Sequence, residues 1–67
     1  MIIYAKNFEG GQTLFTNSAN DNTTINKQAP METVEVEMSE QEGWDVLNNP
    51  NNYELAIKQG AWVIEKK

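Results

Sequence analysis

Cysteine, histidine and arginine are all absent from this 67-residue sequence. Without cysteine there are no disulfide staples, no thiolate metal sites and no cysteine nucleophile. Without histidine the commonest general base and the commonest metal ligand are missing. Without arginine the planar fork that grips phosphate and guanine is missing. No apolar run approaches the length that spans a bilayer. The first residues, Met1 to Lys6, lack the basic region and apolar run of a signal peptide. These absences predict a soluble protein made in the cytoplasm, not secreted by a signal peptide, with no membrane partner.

Ten acidic side chains face five basic ones, all lysine, for a net charge of −5. That charge repels nucleic acid and anionic membrane and admits a basic protein surface. Direct nucleic-acid binding is therefore not expected. A chain this short is read as a single domain, residues 1–67. It buries only about 60% of its unfolded surface, so its stability is marginal. With disulfides excluded, association is the remaining reinforcement; a homo-oligomer and a plain monomer stand as alternatives.

Alternation along the chain predicts an α+β fold, a small antiparallel sheet in the order β-β-β-α-β-β with one short helix packed on it. Met1 to Phe8 alternates, with Ile2, Tyr4 and Phe8 on one face, Lys6 among them, and Ile3 and Ala5 on the other. Glu9-Gly10-Gly11 supplies turn chemistry, and Gln12 to Thr16 is rich in β-formers, which together predict a hairpin. Residues 17–31 read as a long flexible loop, dense in Asn, Ser and Thr, or as a contact loop that orders on a partner. Thr33 to Met38 alternates Val34, Val36 and Met38 against Thr33, Glu35 and Glu37. That is a strand with one buried and one wet face.

Ser39-Glu40-Gln41-Glu42 is a capping box, and predicts a helix from Glu40 to Asn49. Trp44 and Leu47, with Val46 close by, are expected on its buried side. Gly43 weakens it by about 1 kcal/mol relative to alanine, and Pro50 ends it. Asn51-Asn52 reads as a turn. Tyr53 to Ile57 and Ala61 to Glu65 read as strands joined by a tight turn with Gly60 in the left-handed region. Trp44, Tyr53 and Trp62 are expected to form the core, since so small a domain has few other large groups to bury. An exposed tryptophan would instead mark an interface anchor.

Nothing in the sequence assembles a catalytic constellation, and the chain reads as a non-enzyme with no cofactor and no metal. Ser18 and Ser39 have no histidine to activate them. Asn20, Asp21 and Asn22 lack the ligand spacing of a calcium loop. Asn22-Thr23-Thr24 matches a glycosylation acceptor by chance, given no secretory signal. The anomaly is acidic: Glu32, Glu35, Glu37, Glu40, Glu42 and Asp45 lie within fourteen residues and no lysine interrupts them. The plain reading is a solubilising face that also discourages edge pairing. The functional reading is a surface for a basic protein, one that itself handles nucleic acid.

From Thr33, the start of the third expected strand, the chain resembles short proteins encoded by tailed bacteriophages near their tail and tail-fibre genes. The resemblance rests on Val34-Glu35-Val36-Glu37-Met38-Ser39-Glu40-Gln41-Glu42, on Asn48-Asn49-Pro50-Asn51-Asn52-Tyr53 and on the closing Gly60-Ala61-Trp62-Val63-Ile64-Glu65. It covers about half the chain, residues 33–65, and carries over no functional residue. It implies a phage structural or accessory protein, associated with the virion or tail, that binds protein, either itself or another. The alternative is a small acidic inhibitor that blocks a basic host protein of nucleic-acid handling or defence through Glu32–Asp45.

Overall fold

β-Branched and aromatic side chains alternate through the first eight residues, and such side chains fit a pleated, half-buried surface. In a computed structural model describing residues 1–19, 24–25 and 27–67, they form strand β1, Ile2–Asn7. β1 is the centre of a three-stranded antiparallel sheet. Strand β2, Thr13–Thr16, lies on one side of it and β3, Glu32–Glu37, on the other. The register pairs Ala5 with Phe15 and Val34, and Ile3 with Val36. That aligns the apolar side chains of three strands on one face. Ile3, Ala5, Phe15 and Val34 are buried there, together with Val46 of the helix.

Helix α1, Glu40–Asn48, begins where the sequence places it. The Glu42 N–H donates to Ser39 Oγ at 3.2 Å, and Ser39 is extended, as an N-cap requires. Pro50 opens a single 3-10 turn, Pro50–Asn52, which leads into β4, Tyr53–Lys58. β4 pairs with β5, Ala61–Lys66, as a separate two-stranded antiparallel sheet. The expected strands and their order are therefore present, divided between two sheets. Gln59 and Gly60 connect β4 to β5 with φ of 53° and 78°. Positive φ at both central residues is the turn whose twist matches a two-residue hairpin. Tyr53, Leu55 and Ile64 pack on the core from this second sheet. On the hairpin's other face Lys58 Nζ meets Glu65 Oε2 at 2.6 Å, and this contact raises the Lys58 pKa.

Two expectations are corrected by the packing. Trp44 does not dock on the sheet: it is half exposed, while Gly43 and Val46 are the buried helix positions. Trp62 is also exposed, at 37%, so of the three expected core aromatics Tyr53 alone packs against the core cluster. The reason lies at Gly43. A Cβ there would stand 2.6 Å from Met1 Cγ, would overlap the Met1 sulfur, and would lie 3.6 Å from Ile3 Cδ1. The helix approaches β1 through its glycine, and this close approach sets its rotation. Val46 and Leu47 lie on the same side as Gly43 at helical spacing, which carries Trp44 to the flank.

The face of the first sheet that bears Ile2 and Tyr4 is not uniformly wet, because Lys6 is only 2% exposed and Phe8 is buried. Within the expected long loop, Ile25 and Gln28 exchange two backbone hydrogen bonds, of 3.1 and 2.9 Å. The Met31 N–H ties the end of the loop to the Asn7 carbonyl at 2.8 Å. Asn20, Asp21, Asn22 and Thr23 lie outside the described residues.

Candidate functional site

The six acidic side chains of the segment fall in four separate places. Alternation in β3 turns Glu35 and Glu37 away from the core, beside Tyr4 and Ile2, their partners in register. Both glutamates are exposed, and so is Ile2. Glu32 is exposed too, but it shares the face of Val34 and Val36 and lies at the far end of the strand, opposite Asn7. It is therefore parted from Glu35 and Glu37.

The helix divides the remaining acids between its two flanks. Glu40 and Trp44 are four apart and adjacent on one flank, both exposed. Glu42 and Asp45 are three apart on the other flank, where they border an open groove with Ser39 and Tyr53. Acidic residues in the first turn also suit the positive end of the helix dipole.

Asp45 differs from the other five. Its carboxylate accepts a short hydrogen bond from the Tyr53 hydroxyl and another, at 3.0 Å, from the Asn49 side-chain amide. Hydrogen bonds to the charged form favour it. The Tyr53 bond above all, helped by Asn49 and by the charge of Lys66, lowers the Asp45 pKa against the opposing effect of burial. The same bond, with burial, raises the pKa of Tyr53. Asp45 thus clips the helix to β4, and its oxygens are spent on internal partners. Seven residues, the proline turn among them, separate the two groups, so no local pattern in the sequence announces the clip.

Glu35, Glu37, Glu40 and Glu42 form no ion pair among the described residues, where Lys58–Glu65 is the salt bridge present. Four large apolar side chains stand exposed near these acids or at the hairpin tip: Ile2 at 41%, Trp44 at 50%, Ile57 at 59% and Trp62. Ile57 and Trp62 are direct cross-strand partners. They lie on the same hairpin face as Leu55 and Ile64, beyond the part the core covers. The signal for the exposed Trp44 was the helical spacing of Gly43, Val46 and Leu47, which competes with it for the buried side.

Among the described residues, no group of acidic side chains is arranged to hold a metal ion. No helix among them is long and apolar enough to cross a membrane. Ser39 Oγ is engaged as the helix cap. Comparison with protein families, curated proteins and solved structures finds no match for this chain.

Proposed function

We propose that this chain is a non-catalytic protein-binding module, a structural or accessory protein of the tailed-phage kind that acts in the virion or in the host cytoplasm. The observation that carries the reading is the exposure of Trp44, Ile57 and Trp62 on a chain too small to leave such groups uncovered without cost. Tryptophan is enriched at the energetic centre of protein interfaces. Burying an exposed indole or isoleucine on a partner recovers about 25 cal/mol per Å² of apolar area. The experiment is light scattering on the purified protein at low and high salt, for the wild type and for Trp44→Ala and Trp62→Ala. A defined oligomer that survives high salt and is lost in one of these variants supports apolar assembly. A monomer whose hydrodynamics and partner capture ignore both substitutions refutes it.

A second reading is favoured by one further observation. Glu35, Glu37, Glu40 and Glu42 are all exposed and form no ion pair among the described residues, and two of them lie beside Ile2 or Trp44. An acidic surface with apolar anchors suits an inhibitor of a basic protein, in which long glutamates occupy phosphate-binding positions. Glu35→Lys combined with Glu37→Lys tests this reading. Capture of a basic host protein should fall sharply for the double variant and weaken with salt; capture unchanged by both would refute it.

A further inference from the structure

Among the described residues, the two sheets present facing edges with unused backbone. The Phe8 N–H donates to the Gln12 carbonyl at 2.8 Å, which continues the register of Tyr4 with Thr16. Hydrogen-bonded pairs alternate along an antiparallel ladder, so Lys6/Leu14 and Tyr4/Thr16 are the bonded pairs. Thr13 and Phe15 must then turn their N–H and C=O groups to the open edge of β2. The Lys67 N–H donates to the Asn52 carbonyl at 2.9 Å, which continues the register of Tyr53 with Lys66. By the same alternation Tyr53, Leu55 and Ile57 turn their backbone groups away from β5, to the open edge of β4. The Tyr53 N–H is already bonded to the Pro50 carbonyl; its carbonyl and both groups of Leu55 remain.

These edges meet across a cleft of about 370 Å³. Thr13 and Phe15 line one wall and Tyr53 and Leu55 the other, with Glu54 and Lys67 at the margin. Each edge thus brings to the cleft residues whose backbone groups point outward. On the opposite side of the molecule β3 and β5 approach each other. One more strand between β2 and β4 would complete the row β3-β1-β2-strand-β4-β5 and remove two open edges, which are otherwise a liability.

We propose that this cleft is a strand-insertion site for an extended segment of a partner protein, apolar at every second position and cationic overall. Main-chain bonding to a sheet edge supplies the affinity in this mode, and alternate side chains supply the specificity. Every second residue of the segment would lie beside Phe15 and Leu55, which calls for apolar side chains there. Glu54 and Lys67 offset each other at the cleft margin, and the net charge of −5 over the whole chain attracts a cationic segment. The inference rests on the protein-binding reading and specifies a site distinct from the acidic and tryptophan surfaces.

The test uses a capped peptide of alternating valine and threonine with a lysine at each end, followed by amide hydrogen exchange. Bound peptide should slow exchange of the Phe15 and Leu55 amides by about tenfold. A copy N-methylated along one backbone edge should lose that protection. The same segment fused after Lys67 through a flexible glycine-serine linker presents itself at about millimolar effective concentration. It should raise the Tm and protect both amides in a monomer. A fused segment that leaves the Tm and both amides unchanged overturns the proposal. So does peptide binding whose effects stay on Glu35 to Glu42, an outcome that would leave the protein-binding reading intact. Protection of the two amides by a second copy, seen as a doubled mass without peptide, overturns the partner segment as occupant.

Discussion

Replacing Val46 by alanine, and separately Trp44 by alanine, sets the rotation of helix α1 against the size of the side chains on it. Val46 is fully buried and Trp44 half exposed. Val46→Ala removes two buried carbons at about 0.8 kcal/mol each. It also leaves a cavity and regains a few tenths of a kcal/mol in helix propensity, for a net loss of about 1.5–2.5 kcal/mol. Against a total stability of about 3–10 kcal/mol for a chain this size, that loss is large. It corresponds to a fall in Tm of about 6–20 °C. Trp44→Ala would cost about 3–5 kcal/mol if the indole were in the core. On the flank it gives up partial burial and gains helix propensity, for a net change below about 1 kcal/mol. Urea unfolding followed by circular dichroism measures both, since it does not depend on the tryptophan that is removed. A loss above about 3 kcal/mol for Trp44→Ala with a small loss for Val46→Ala would refute the helix rotation described here.

Two further outcomes follow from named contacts. Gly43→Ala, which adds about 1 kcal/mol to an exposed helix, should here lower stability by about 1 kcal/mol net. The new methyl must displace the Met1 side chain, and the Met1 backbone is held by the Met38 N–H at 2.9 Å and by its own ammonium to the Met38 carbonyl at 2.6 Å; chemical denaturation would decide it, and a gain in stability would contradict the close approach. For the Asp45–Tyr53 clip the pH dependence has a definite sign. The Asp45 pKa is lowered in the folded protein from 3.8, so its contribution is present above that value and is lost as pH falls below it. The Tyr53 pKa is raised from 10.0, so its contribution is present below that value and is lost as pH rises past it. Tyr53→Phe should therefore lower the urea midpoint at neutral pH, with the gap from wild type closing at both extremes; a gap that persists in acid would rule out the clip.

Local chemistry made much of this fold legible. The strand and helix order, the Ser39 cap, the stop at Pro50 and the Gly60 turn all depend on neighbours a few residues apart, and each lies where such spacing puts it. The outward projection of Glu35 and Glu37 was equally legible, because alternation in β3 needs only to know which face is apolar. The positive φ at Gln59 was not, since its side chain carries no preference for it; the hairpin twist imposes it.

The sequence by itself determined the alphabet of elements, the acidic charge and the absence of cysteine, histidine and arginine. Tertiary structure alone decided which side of the helix is inside. Size pointed to Trp44, yet the missing Cβ at Gly43 lets the helix come closest on that side, and close packing outweighed side-chain bulk. Tertiary structure also split the acidic run onto different faces, spent Asp45 on Tyr53, and divided five strands into two sheets with facing open edges. These features arise from contacts between residues distant in the chain, where local propensity has no influence and the geometry of packing sets the outcome.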